Sequence, residues 1–440
     1  MTRVSLAFSG GGHRAAAFSL GVLLYLVDAD VHAHVESIAS VSGGSITNAF
    51  VGQQVDLSNT TSDQFEKQVA RPLLSRLASR GTLWAPLETK IYVLALAVGL
   101  LAVCVVPWTL SIGLAAKAII FVAAILAWGE LLRLRGHICA RSLRQTLYSP
   151  RVLLRDIHDS TKHILCSTDL QAASHLYFSK SFVYGYAAGL GNPGTLLLAV
   201  AVQASAALPG AFPPRLIRRS RLGMRKGEVA AASRSRYLVL ADGGVYDNMA
   251  DQWAHGYRER VERLRITDLG EVPEELIVVN ASAGMRWRPF RRASVPILGE
   301  LVALLRDKDV LYNATTAPRR RDLISTFENA ERSGIGMKGT LVSISQSPFG
   351  VARRYESEAG SRGDRARTAI EHLNPVTEQD WDKIAALNSG VATALSKLGP
   401  HTTSRLVCHA YVLAMCNLHV VLDYPLLPIP DQRQFWEWCR

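Results

Sequence analysis

Ser42 stands in Ser40-Val41-Ser42-Gly43-Gly44, between an apolar run, Val35–Val41, that reads as a buried strand and a segment, Ile46–Val51, that reads as a helix start. A strand that turns sharply into a helix holds its turn residue in strained dihedrals and lifts that side chain clear of the backbone. The neighbours two before and two after must then be small, and here they are Ser40 and Gly44. Such a serine is placed to attack a carbonyl, although an ordinary serine-glycine turn would look the same in these five residues. Gly10-Gly11-Gly12 also follows an apolar run, Val4–Phe8, and precedes a helical stretch, Ala15–Leu26. Consecutive glycine N–H groups at a helix start converge on one spot and can hold negative charge growing on an oxygen, and Arg14 adds a fixed positive charge beside them. A nucleotide loop is the competing reading, but the block has neither the lysine-hydroxyl pair of a phosphate loop nor the glycine spacing of a dinucleotide fold. Asp242 ends a third apolar run, Tyr237–Ala241, and is followed by Gly243-Gly244, so its carboxylate could take a proton from a nearby hydroxyl. Nothing in the 200 positions between Ser42 and Asp242 says that they meet.

Alternating apolar runs, glycine turns and helical stretches predict an α/β fold, a sheet with helices on its faces. Further strands are expected at Leu176–Tyr186 and Leu276–Asn280, and helices at Val152–Leu165 and Leu196–Ala207. Ile91–Trp128 interrupts this pattern, with Lys117 as its one charged residue. At about 20 residues per crossing it accommodates two transmembrane helices, with the turn expected at Pro107-Trp108-Thr109. Lys90 before the run, Arg133 and Arg135 after it, put both ends on the cytoplasmic side, and Lys117 is close enough to the turn to reach outward. Leu406–Leu422 is also apolar, but His409, Asn417 and His419 mark it as core rather than a further span.

Composition narrows the rest. The 440 residues are 48% hydrophobic and 20% charged, which excludes a disordered chain, and 49 Lys and Arg against 37 Asp and Glu give a net charge of +12. Anionic surfaces are the natural partners of such a charge. Basic clusters at Arg215–Lys226, Arg286–Arg292 and Arg319–Arg321 could face acidic headgroups, while no aromatic-rich basic platform or nucleic-acid module is present. The six cysteines show no metal-type or paired spacing, and the first residues, MTRVSLAFSGGG, do not read as a secretory leader.

Four blocks in order resemble the patatin-like phospholipases, which share a catalytic plan with cytosolic phospholipase A2. They are Ser9-Gly10-Gly11-Gly12-His13-Arg14, Ser40-Val41-Ser42-Gly43-Gly44-Ser45, Ala204-Ser205-Ala206-Ala207-Leu208-Pro209-Gly210-Ala211-Phe212-Pro213-Pro214, and Asp242-Gly243-Gly244. Ser167-Thr168-Asp169-Leu170 is similar to a strand-turn segment upstream of the third block. The resemblance implies a patatin-like sheet flanked by helices and interrupted here by the apolar hairpin. It implies a Ser-Asp dyad without a catalytic histidine: Ser42 as nucleophile, Asp242 as base, Gly10, Gly11, Gly12 and the N–H of Gly43 as oxyanion hole, and Arg14 near a lipid phosphate or the developing anion. Ser40 departs from the family's glycine, which bears on the geometry of the turn.

The organisation expected is a catalytic domain in two parts, 1–88 and 136–300, an inserted hairpin at 89–135, and a mixed helical region, 301–440, that completes or covers the domain. The function expected is a membrane-associated serine acyl hydrolase cleaving phospholipids or related acyl lipids, without metal or cofactor, its catalytic domain on the cytoplasmic side. A transacylase using the same site, a lipase switched on by a partner, and a catalytically silent membrane scaffold are the rival readings. If Ser42 and Asp242 must touch, the chain between them crosses a membrane an even number of times or not at all.

Overall fold

A computed structural model describes residues 2–225, 227–264, 272–282, 298–374 and 376–440. Its centre is a ten-stranded mixed sheet with eight strands in the order β10-β9-β1-β2-β3-β4-β5-β6 and two more, β8 and then β7, branching off β3. The strands are β1 (Val4–Phe8), β2 (Val35–Val41), β3 (Lys162–Asp169), β4 (Ser174–Phe178), β5 (Val183–Gly185), β6 (Gly189–Gly191), β7 (Arg215–Arg218), β8 (Tyr237–Asp242), β9 (Glu275–Asn280) and β10 (Lys338–Ser343). β10, β9, β1, β2 and β3 run parallel, and β4 and β8 pair with β3 antiparallel. Side chains on the central strands alternate between two cores: Leu6, Phe8 and Ile38 join one, Ala7, Ala39 and Val41 the other. Both faces are therefore covered, as the continuous apolar runs require.

α1 (Gly12–Asp28) follows β1 and α2 (Gly43–Gln54) follows β2. α1 packs against a helix near the C-terminus, Pro400–Leu422, whose side chains from Leu406 to Leu418 are buried. Polar residues of that helix find partners on other elements: His409 meets the Gln346 carbonyl at 2.9 Å and Asn417 donates to the Leu341 carbonyl at 3.1 Å. It is core, as its histidines and asparagine predicted. The C-terminal region also supplies β10, which extends the parallel sheet beyond β9.

The apolar insertion forms two antiparallel helices, Leu87–Thr109 and Leu114–Arg133. At 23 and 20 residues they are about 34 and 30 Å long, enough to cross a hydrocarbon layer. Their large side chains point outward, with Leu101 65% and Ile119 70% exposed. The turn differs from its expected place: Pro107 lies inside the first helix, and the chain reverses at residues 110–113. A proline near a helix end removes one backbone donor and clashes with one preceding carbonyl, which the last turns tolerate. Lys117 reaches back to the Trp108 carbonyl at 3.4 Å, beside the turn.

Three other expectations change. Val152–Leu165 is not a helix; it holds a short turn at Leu154–Asp156 and the start of β3, because the apolar residues at its two ends belong to different elements, separated by the polar stretch 158–163. Leu176–Tyr186 is two strands, β4 and β5, rather than one. Arg215–Lys226, expected as a basic cluster facing acidic headgroups, is partly built into the fold, since Arg215–Arg218 pairs with β8 as β7 and Arg219 is buried with its guanidinium on the Ala188 carbonyl. Arg319 is likewise turned inward, 2.8 Å from Asp251 and 3.5 Å from Asp247, and Arg286–Arg292 lies outside the described residues.

Candidate active site

β1, β2 and β9 are parallel neighbours, so their C-terminal ends lie on one edge of the sheet, where parallel α/β sheets collect ligands. The glycine block leaves that edge from β1, and Ser42 leaves it from β2. Asp242 reaches the same place through β3. Residues Ser37–Val41 of β2 pair with Lys162–Cys166 of β3, and the next residues of β3, Ser167–Asp169, pair with Leu240–Asp242 of β8. β4 occupies the other side of β3, so β2 and β8 share one side and meet end to end. Val41 stands opposite Cys166 and Asp242 opposite Ser167, on consecutive rungs. Gly243 then lies against Val41 and the Cys166 carbonyl so tightly that a side chain there would collide with the backbone. One strand thus brings the serine and the aspartate together across 200 positions.

Ser42 has φ 52° and ψ −115°, a conformation that a side chain adopts only under constraint, and α2 begins at the next residue. Two close backbone approaches hold it. A side chain on Gly43 would strike the Gly12 carbonyl, and a Cβ on Gly44 would lie 2.7 Å from Phe8. Ser40 fits the turn because its hydroxyl is absorbed into a buried network: it donates to the Ile164 carbonyl at 3.1 Å and accepts from Ser45 at 3.0 Å and Asn48 at 2.8 Å. The departure from glycine is thereby satisfied rather than strained.

α1 and α2 both start at this point, so two sets of helix N-terminal N–H groups face the site. Gly11 (φ 145°) and Gly12 (φ 61°) take conformations open to glycine. The N–H of Gly10 is engaged with the Asn248 carbonyl at 3.1 Å, whereas those of Gly11, Gly12 and Gly43 have no partner among the described residues. Asn248 binds this loop to the rest of the site, donating also to the Ser282 hydroxyl at 2.7 Å. Arg14 is buried. It donates through Nε to the Ala281 carbonyl at 2.8 Å and through Nη1 to the Val391 carbonyl, with Nη2 beside Gly11. Burial lowers its pKa to about 10, which leaves it charged near neutrality.

Asp242 accepts the Gly244 N–H on Oδ1 at 2.8 Å, and its own carbonyl accepts from Thr168 Oγ1 at 2.9 Å. Tyr312, on the long helix Leu298–Ser333, comes to within contact of Gly244. Burial first, and the charge of Asp242 second, raise the Tyr312 phenol above its ordinary pKa, so it stays protonated beside the carboxylate.

Ser42, Asp242, the three glycines Gly10–Gly12 and Arg14 line one cavity of about 620 Å³. Sequence reasoning missed several of its walls. Residues 391–396, far along the chain, close one side; His13 holds them by meeting the Ser396 carbonyl at 2.7 Å while its other nitrogen meets Thr82 at 2.8 Å. Burial keeps that ring neutral, its pKa lowered to about 4. Leu83, Trp84, Leu208 and Phe212 give the cavity an apolar side next to the root of the hairpin. Arg306, Asn313 and Thr316 give it a polar side on the Leu298–Ser333 helix.

A family model of patatin-like phospholipases matches residues 6–250, more than half of the chain. Among solved structures, human GIVD cytosolic phospholipase A2 is similar at 10% identity with a TM-score of 0.43, the match covering 99% of this chain and 63% of that one. VipD from Legionella pneumophila is similar at 11% identity with a TM-score of 0.25, covering 99% of this chain and 90% of that one. No curated protein matches the sequence. With the glycine block, the serine elbow and the Asp-Gly-Gly turn all inside the matched segment, the chain belongs to the patatin-like phospholipase family.

Proposed function

We propose that the protein is a membrane-associated serine acyl hydrolase that cleaves phospholipids or related acyl lipids with Ser42 and Asp242. The observation that carries this reading is the register on β3, which sets Val41 and Asp242 on consecutive rungs above one cavity. Ser42 Oγ attacks the ester carbonyl carbon as its proton passes to Asp242. The N–H groups of Gly11, Gly12 and Gly43 receive the oxygen that becomes negative, with Arg14 behind them. Collapse of the tetrahedral species breaks the ester C–O bond, and the leaving alkoxide takes the proton from Asp242. Water then attacks the acyl-serine with Asp242 again accepting a proton, and the fatty acid leaves as Ser42 is restored.

The cavity supports an amphiphile as substrate. Its apolar side adjoins the hairpin, so an acyl chain would enter from there, while Arg306 and its polar neighbours would face the headgroup. A hairpin exposing this much apolar surface is unstable in water and matched to a bilayer. Both of its ends return to the catalytic domain, in keeping with an even number of crossings. Lys90, Arg133 and Arg135 near the root favour the cytoplasmic side for that domain.

The test is release of free fatty acid from mixed phospholipid vesicles by the detergent-purified protein, beside Ser42→Ala and Asp242→Asn. Each substitution is expected to lower release on the order of 10³-fold or more. Full activity in Ser42→Ala would remove this site from consideration, and a wild type inactive on a broad lipid panel would remove the hydrolase reading.

A further inference from the structure

The third sequence block carries no chemistry of its own, yet its helix, Leu198–Ser205, ends against both members of the dyad. The Ser205 hydroxyl accepts the backbone N–H of Ser42 at 3.1 Å and donates to the Cys166 carbonyl at 2.6 Å. Two residues on, the Ala207 carbonyl accepts the backbone N–H of Asp242 at 3.0 Å. Cys166 is the rung at which β3 exchanges β2 for β8 as its neighbour. A strand end lacks ladder partners at such a break, and here a side chain and a carbonyl from one short segment supply them. Ser205 is fully buried and touches the Ser45 hydroxyl at 2.8 Å, so its rotamer is held from several sides.

From this geometry we infer that Ser205 is a positioning residue for the dyad: with Ala207 it forms a jig that fixes the strained Ser42 backbone at a set distance from the Asp242 backbone. The inference rests on the hydrolase reading above. It adds that spacing across the break between β2 and β8 is set by the end of this helix, and that the Ser205 hydroxyl acts through Ser42 without touching substrate. Ser42 at φ 52° has no regular ladder partner to keep it there. Loss of the Ser205 acceptor would let the turn relax and carry Oγ away from the carboxylate, and a displacement near 1 Å costs on the order of 10²-fold in rate.

The experiment measures two things on the full-length protein in detergent: hydrolysis of a short-chain p-nitrophenyl ester, and the rate at which a fluorophosphonate probe labels Ser42, forming an O–P bond as fluoride leaves. Ser205→Ala is compared with Ser37→Ala, which removes another buried hydroxyl, paired with Ser5 at 2.8 Å and outside the site. Ser205→Cys, close in size but a weak hydrogen-bonding group, keeps the volume filled should the alanine variant fail to fold. The expected result is a drop of about 10- to 100-fold in kcat and in labelling rate for both Ser205 variants, with KM within about twofold of wild type. Ser37→Ala is expected to lower the melting temperature alike and leave both rates unchanged. Wild-type rates in folded Ser205→Cys, or equal rate losses in Ser37→Ala, would overturn the jig while Ser42→Ala still silenced the enzyme. If Ser42→Ala left hydrolysis intact, the hydrolase reading itself would fall, and the jig with it.

Discussion

Two parts of this molecule are long, apolar helices with opposite surroundings. The helix Pro400–Leu422 and the hairpin helices Leu87–Thr109 and Leu114–Arg133 are all long and apolar enough to cross a membrane, yet the first is mostly buried inside the protein and the others are almost wholly exposed. Their polar residues make the difference. His409, Asn417 and Thr403 sit in the C-terminal helix, and His409 and Asn417 reach partners on other elements. Beyond its root, where Glu88 meets Arg141, three polar side chains of the hairpin bond within it: Tyr92 to the Leu131 carbonyl at 3.0 Å, Trp128 to the Leu96 carbonyl at 3.0 Å, Lys117 to Trp108. An apolar helix that ties itself to a folded domain is core, and one that satisfies itself is free to enter lipid.

The same substitution should therefore break the two regions differently. Leu413 is fully buried, and Leu413→Asp would place an unpaired carboxylate in the core at a cost of at least about 4 kcal/mol. Loss of the cooperative thermal transition in detergent is expected. Leu101→Asp faces outward and should leave that transition in place while lowering vesicle flotation, since a carboxylate at mid-bilayer costs about 2.5–3.5 kcal/mol on insertion. Equal effects of the two variants on melting would mean that the hairpin is part of the soluble core.

Acid should separate the regions as well. Burial keeps His13, His163 and His409 neutral, with pKa values lowered to about 4, 3 and 4. A histidine whose folded pKa is depressed contributes stability that is complete above the unfolded value of 6.5 and lost as the pH falls toward the folded value. By pH 4 each withdraws about 3 kcal/mol. The hairpin contains no histidine. The catalytic domain should thus lose near-ultraviolet circular dichroism between pH 6.5 and 4 while the protein stays bound to vesicles. His13 adds a local effect, because its ring joins Thr82 to the Ser396 wall of the cavity. Activity that persisted unchanged at pH 4 would contradict the neutral assignment of all three.

Much of the site is visible in the sequence because its chemistry is local. A strand, a glycine turn and a helix start lie within about ten residues at Gly10–Gly12 and again at Ser42, so periodicity and small neighbours expose both. What closes the cavity is not local. Tyr312 and residues 391–396 come to Ser42 across 270 positions or more, and only the packing of two later helices puts them there. Ser205 and Asn248 fall between these cases: Ser205 stands in the third block and Asn248 four residues past the Asp-Gly-Gly turn, but their hydrogen bonds to Ser42 and Gly10 depend on the register of β3 and the course of β8. The end-to-end meeting of β2 and β8 leaves no trace in spacing, and the pattern that predicts a helix over Val152–Leu165 hides the start of β3. The turn of the hairpin falls past Pro107-Trp108-Thr109 for a related reason. Proline marks a break in water, but Pro107 stays helical where its neighbours already carry the chain.

The smallest expected effect tests how the hairpin holds itself together. Gly99 lies against the Trp128 ring, where a Cβ would stand 3.1 Å from Cδ1, so the helices approach closely here and the indole N–H meets the Leu96 carbonyl. Trp128→Phe keeps an aromatic ring and removes the donor. Hydrogen bonds between helices in lipid average about 0.6 kcal/mol, because the separated helices find other partners for the same groups. A backbone carbonyl already engaged along its own helix should contribute no more than that. Cysteines introduced at Leu100 and Ala127 would report the pairing by crosslinking in vesicles, and Trp128→Phe should slow the reaction by about threefold or less. Gly99→Leu, which pushes the helices apart, should slow it further. If both variants crosslink at the wild-type rate, close packing at Gly99 does not hold the pair, and the domain at its root does.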